Sequence, residues 1–199
     1  MGIKRGTLEV GSIFRGSVVI SKVYRGTTVI YELADGSFFE EIATIQVAGS
    51  PVTGVQFNNF TATKTDTLVM TAETINGGDV NVGIFVNNNL TSSAYWSQYL
   101  FSGGISFFGG RNNNSRCMVS MSASRTYATI EIKLTNNGEF TYQSDQIREA
   151  GTAGCAQQPN WGGYNVAITT ITQLDVIAEA TNGLGVGSIF RLFKISEGA

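Results

Sequence analysis

Over the first 32 residues, apolar and polar positions recur every ten. Cut after every tenth residue from Ile3, the chain reads IKRGTLEVGS, IFRGSVVISK, VYRGTTVIYE. Ile3, Ile13 and Val23 align, followed by Arg5, Arg15 and Arg25, then Gly6, Gly16 and Gly26, then Thr7, Ser17 and Thr27. A fixed-period self-match of this kind takes precedence in a fold reading. Gly followed by Ser or Thr suits a two-residue type II′ turn, whose first central residue needs the positive φ that glycine adopts cheaply. The flanking triplets are β-branched or aromatic, so the pattern predicts a meander of very short strands. A weaker beat of five, carried by Gly11-Ser12, lies inside the repeat and breaks at Ser21-Lys22.

A second hairpin signal follows, Asp35-Gly36 between the apolar runs 28–33 and 38–42, with the residues a type I′ turn requires. Residues 48–54, AGSPVTG, collect small residues, glycine and proline between two patterned stretches, and the domain boundary is expected there. This gives an N-terminal repeat meander over 1–48 and a second domain over 55–199.

Strand-like runs fill the second domain: 67–72, 81–86, 104–108, 117–121, 128–134, 139–143, 164–170, 172–178 and 188–195. Clusters of Asn and Gly separate them, including 76–79, 87–89, 109–114 and 136–138; both residues tolerate left-handed turn conformations. Alternation is clearest in Ala128-Thr129-Ile130-Glu131-Ile132-Lys133-Leu134, the mark of a half-buried antiparallel strand. Helix signals are scarce; residues 92–100 hold one turn or two. The fold class expected is all-β, the meander followed by an antiparallel, jelly-roll-like β-sandwich.

Composition agrees with that reading. Glycine is abundant at 24 residues, while proline at 2 and charged residues at 14% are few, as in short strands joined by tight turns. No apolar run approaches the roughly 20 residues of a membrane span. The start of the chain shows no apolar signal-peptide core, so synthesis in the cytoplasm is expected. Residues 1–32 hold Lys4, Arg5, Arg15, Lys22 and Arg25 against Glu9 and Glu32 in a chain of net charge −2. That segment is too short and apolar for a nucleic-acid patch; its arginines face an acidic neighbour or solubilise strand ends. Cys117 and Cys155 have no metal-like spacing, and separate reduced thiols are expected.

The repeat has a burial problem. Segments such as Ser17-Val18-Val19-Ile20 put apolar groups on both faces, and a piece of roughly 45 residues rarely stands alone without disulfides, metals or association. It therefore packs against copies of itself or another protein, or supplies edge strands to the following sheet.

Enzymatic chemistry finds little to work with. The chain has no histidine, which removes Ser-His-Asp, Cys-His and His-ligated metal sites. Neither a phosphate-binding loop nor a dinucleotide fingerprint is present, since Gly183-Leu184-Gly185-Val186-Gly187 opens a strand. Glu40-Glu41 point to opposite faces of a strand, leaving Asp145 and Glu149 as a two-carboxylate candidate. No enzyme and no cofactor are expected. Binding has more support. Tyr95-Trp96-Ser97-Gln98-Tyr99 and Gln157-Gln158-Pro159-Asn160-Trp161 are aromatic-amide segments of the kind that hold sugars. The ligand-binding candidates are Trp96, Tyr95, Trp161, Gln157 and Asn160; the alternative is that both tryptophans cap the core.

Both ends of the chain carry a resemblance. Ser21-Lys22-Val23-Tyr24-Arg25-Gly26-Thr27-Thr28-Val29-Ile30-Tyr31-Glu32 resembles the opening of tailed-bacteriophage virion proteins, where a hydrophobic-Tyr-x-Gly-Ser/Thr hairpin precedes a distal domain. Residues 171–177 and 185–195 are similar to the closing strands of phage appendage sandwiches, with Gly-Ser, a short strand and a Leu-aromatic pair. The middle is unmatched. The resemblance implies a virion structural protein of the fibre, tail-tip, head-fibre or decoration type. Its N-terminal repeat would dock on other virion proteins through Arg5, Arg15, Arg25, Tyr24 and Tyr31. Its distal domain would bind a host surface glycan, in a homo-oligomer with a trimer favoured, and with neither nucleic-acid binding nor membrane insertion. The alternatives are a decoration protein without a receptor and a glycan depolymerase.

Overall fold

The computed structural model describes the backbone of the strands named below and of residues 38–103, 106–112, 117–149 and 155–196. Side chains are described from residue 40 onward, except 77–79, 92, 101–108, 111–124, 148–149 and 155–157. The protein is all-β, with a short-strand repeat followed by an antiparallel sandwich.

Each ten-residue repeat is one hairpin. Strand β1 (Ile3–Arg5) pairs with β2 (Leu8–Val10), β3 (Ile13–Arg15) with β4 (Val18–Ile20), and β5 (Lys22–Arg25) with β6 (Thr28–Glu32). In register, Ile3 faces Val10 and Arg5 faces Leu8; Ile13 faces Ile20 and Arg15 faces Val18; Arg25 faces Thr28. The pairings among described residues thus give three two-stranded units where one continuous meander was expected. The Gly-Ser/Thr pairs between their strands, and Asp35-Gly36, lie outside the described residues. So do the side chains of Arg5, Arg15, Arg25, Tyr24 and Tyr31, the docking candidates.

Strand β7 (Phe38–Gln46) belongs to the sandwich. It pairs along its length with β16 (Ile189–Ser196), from Phe38 opposite Ser196 to Gln46 opposite Ile189. Val47 is buried, and Ile42, Ala43 and Ile45 pack on the core. The hairpin expected between 28–33 and 38–42 gives way to this long-range pairing because the apolar side of β7 finds the core there. The expected boundary at 48–54 moves accordingly. Val52 bridges Leu184, and β8 (Gly54–Phe57) pairs with β15 (Leu174–Ala178). Residues 48–54 thus cross within one sandwich that begins at Phe38.

The spine of the sandwich is β9 (Asp66–Val86) against β12 (Cys117–Leu134). Each was expected as two strands. Asn76-Gly77-Gly78-Asp79 lies inside β9, where register shifts against β12 mark a bend instead of a turn. The bend lets one strand serve two layers. Its first half lies between β12 and β16, and its second half pairs with β15. The first strands closing on the last give the jelly-roll-like wrap. Strands β13 (Phe140–Glu149), β14 (Cys155–Tyr164), β10 (Tyr95–Gly103) and β11 (Ser106–Asn112) extend the sheet from β12 in that order. The turns expected at 92–100 reduce to a 3-10 turn, Ser92–Ala94, before β10.

Alternation decides what each strand buries. Ala128, Ile130, Ile132 and Leu134 face inward with Leu68, Met70, Phe140, Phe190 and Leu192, while Thr129, Glu131 and Lys133 are exposed. Fully burying each large side chain contributes about 1.5–3 kcal/mol. Cys117 pairs with Ile84 on β9 and Cys155 with Glu149 on β13. Strand β13 separates the two cysteine strands, so their Cα atoms stand about 10 Å apart or more, outside the roughly 7 Å reach of a disulfide.

Candidate functional site

Strand β14 builds the site by its register. Residues 157–163 carry a proline and two glycines and lie outside the strands expected from the pattern, yet they form part of a central strand between β13 and β10. Trp161 lies between Gln143 of β13 and Gln98 of β10, with its side chain on the outer face and 38% exposed. Once Trp161 points outward, Asn160 and Gly162 must point inward.

Gly162 and Gly163 then make room for two aromatic rings. A β-carbon on Gly162 would stand 2.2 Å from Tyr142 Cε1 and from Trp96 O. On the outer side, Trp96 lies directly opposite Gly163. A β-carbon there would meet the Trp96 indole at 2.9 Å from Nε1. The bare glycine is what lets this indole lie down on the sheet, and Trp96 is partly buried as a result.

Trp96 and Trp161 line one groove of about 310 Å³ together with Glu131, Lys133, Thr141 and Gln143. The Lys133 ammonium and Glu131 carboxylate are 2.7 Å apart on the same face of β12, each about half exposed. In water such a pair is worth little to the fold. Both groups remain available to a ligand as donor and acceptor. An exposed indole beside a carboxylate, an ammonium, an amide and a hydroxyl suits a sugar ring, whose C–H face stacks while its hydroxyls exchange hydrogen bonds.

The other ligand candidates go elsewhere. Tyr95 is fully buried: its Oη accepts from Val86 N at 2.9 Å and donates to Asn89 O at 2.8 Å, and its ring packs edge-on to Phe85. Asn160 is also fully buried. Its Nδ2 donates to Gln158 O and its Oδ1 accepts from Gln158 Nε2, both at 3.1 Å. Tyr95 and Asn160 are therefore interior groups, corrected by the alternation that sends Trp96 and Trp161 outward. Gln158 follows them inside, and the side chain of Gln157 lies outside the described residues. The groove's polar residues Glu131, Lys133 and Gln143 went unselected in the sequence. Only the polar face of the 128–134 alternation hinted at the first two.

The remaining polar clusters serve the fold. Asp175 is buried, and its carboxylate accepts from Gln56 Nε2 at 2.8 Å and from Gln173 Nε2 at 2.8 and 3.0 Å. Glu40 pairs with Lys194 at 2.9 Å, and Glu41 accepts from Thr44 Oγ1 at 2.7 Å. Asp145 and Glu149 are four residues apart on β13, hence about 13 Å between Cα atoms. Glycosidase carboxylates sit roughly 5–9.5 Å apart, so this spacing does not suit that pair. A cleft of about 490 Å³ between Thr63–Thr65, 134–138 and 167–169 has no aromatic platform. Compared with known proteins, the chain matches no family model, and no curated protein matches it.

Proposed function

We propose that this chain is a non-enzymatic structural protein of a bacteriophage particle whose sandwich holds a host surface glycan. The three hairpins of residues 3–32 attach it to other virion proteins, and the sandwich from Phe38 onward projects, in a homo-oligomer with a trimer favoured. The single observation that carries the binding role is the groove in which exposed Trp161 and sheet-lying Trp96 flank Glu131, Lys133 and Gln143. The docking role draws on the repeat itself: it pairs as three separate two-stranded units, and an isolated two-stranded hairpin is marginal in water without a partner.

Phage particles assembled with three versions of the chain test both roles: intact, lacking residues 1–32, and carrying Trp161→Ala. The hairpin deletion should fold and be left off the particle. The Trp161→Ala chain should be incorporated normally and reduce adsorption to cells about tenfold, on the scale of one large apolar contact. Normal incorporation of the deletion overturns the docking role. Unchanged adsorption with Trp161→Ala overturns the glycan role and leaves a decoration protein.

A further inference from the structure

The outer face of the sheet carries a second groove that shares strands β12 and β13 with the first. It has a volume of about 350 Å³, and its walls include Tyr127, Thr129, Asp145, Ile147, Glu73 and Arg191. Tyr127 and Ile147 are direct cross-strand partners on β12 and β13, 44% and 50% exposed. Folding gains little from leaving a tyrosine and an isoleucine side by side in water, and the pair offers a ready apolar platform. Asp145 supplies an acceptor beside it and Arg191 a fork of donors.

The two grooves abut. Thr129 opposite Asp145 belongs to the second, and the next outward pair along the same strands, Glu131 opposite Gln143, belongs to the first. Tyr127 lies four residues from Glu131 along β12, about 13 Å, and Trp161 stands two strands across, about 10 Å. The two aromatic platforms are therefore separated by roughly 16 Å of open sheet. One monosaccharide cannot touch both, whereas a chain of several can lie across them.

Charge narrows the class of chain. Glu73, Glu131 and Asp145 stand against Lys133 and Arg191 in the two walls. A polyanion would meet more repulsive contacts than attractive ones, so these walls do not select it. We propose that the two grooves are subsites for a single extended, neutral oligosaccharide, with Trp161 stacking one end and Tyr127 the other. This rests on the glycan reading of the Trp161 groove and adds the length and charge class of the ligand.

The test uses the full chain on a printed array of neutral and anionic bacterial surface polysaccharides. The best neutral binder is then cut by partial acid hydrolysis into a size ladder for calorimetric titration. Intact protein should bind fragments long enough to span both grooves at least tenfold more tightly than disaccharides. Tyr127→Ala and, separately, Ile147→Thr should each remove most of that gain and leave disaccharide affinity unchanged; Tyr127→Phe should keep it. Trp161→Ala should weaken binding at every length. Equal affinity for long and short fragments, or a long-fragment gain that survives both Tyr127→Ala and Ile147→Thr, overturns the second subsite while the Trp161 groove stands. Tightest binding to an anionic polysaccharide overturns the neutral class. Absence of binding to any glycan on the array removes the glycan reading itself.

Discussion

The Trp96 indole rests on the backbone of Gly163, so closely that a β-carbon on that glycine would lie 2.9 Å from Nε1 and 3.1 Å from Cε2. The same β-carbon would lie 2.6 Å from Phe140 O, on the neighbouring strand. The ring can swing away at little cost, but the carbonyl belongs to the β13–β14 ladder and cannot. Gly163→Ala should therefore destabilise the protein by about 1–3 kcal/mol, the usual cost of overpacking. A urea denaturation curve reads that loss. Tryptophan fluorescence of the surviving folded fraction should also change as Trp96 leaves the sheet. An unchanged midpoint and spectrum would contradict the seat.

A chain trimmed to begin at Phe38 keeps every strand of the sandwich, whereas one beginning at Gly54 loses β7. The shorter piece uncovers the edge of β16 and removes buried Val47, which accepts from Gly187 N and donates to Ser188 O, both at 2.9 Å. Val47 alone contributes about 1.5–3 kcal/mol, and an open strand edge invites aggregation. Thermal melts should show cooperative unfolding for 38–199. For 54–199 they should show a midpoint lower by several degrees, with poor solubility. Equal midpoints would place β7 outside the cooperative unit.

The strand over 128–134 was fully legible because its period-2 pattern is carried by Ile130, Ile132 and Leu134, with no turn residue to obscure it. The bend at Asn76–Asp79 was not. Asn and Gly are chosen for tight turns and for irregular strands alike, and only the pairing partner distinguishes the two. Pro159, Gly162 and Gly163 hid β14 for a related reason. Each breaks strands as a rule, yet Pro159 stands opposite Asp145 just before the stretch 160–164 that pairs with β10, and the glycines make way for Tyr142 and Trp96. Trp161 could be selected on chemistry alone. Its polar groove partners Glu131, Lys133, Thr141 and Gln143 are 18 to 30 positions away along the chain, and register, set by core burial across three strands, brought them together.

Asp66 ties the C-terminal strand to β9. Burial alone would raise its pKa, but hydrogen bonds from Ser196 Oγ, Thr63 N and Thr63 Oγ1, with the charge of Lys194, hold it below the usual aspartate value. A depressed folded-state pKa means stability that is complete above about pH 4 and drains away as pH falls through the lowered value. Asp66→Asn should lower the melting temperature at pH 7 and flatten its decline between about pH 4 and pH 2. Parallel melting curves for variant and parent across that window would show that the carboxylate contributes nothing.

Tyr95 and Trp161 come from the two aromatic segments of the chain, and their variants should fail in different ways. Tyr95 bridges Val86 N and Asn89 O from a fully buried position beside Phe85 and Tyr164. Tyr95→Phe keeps the ring and strips both partners of their bond, which costs about 1–3 kcal/mol for groups left unsatisfied inside. Tyr95→Ala adds a cavity and should cost about 3–5 kcal/mol. Neither change touches the outer face, so surviving folded protein should match the parent in the proposed glycan binding. Trp161→Ala removes a ring that water already reaches, and its folding cost should stay under about 1.5 kcal/mol. Its loss should instead appear in binding. Denaturation midpoints and titrations on the same three variants decide the matter. If Tyr95→Phe abolished binding while keeping full stability, Tyr95 would belong to the site and the inward assignment of β10 would be wrong.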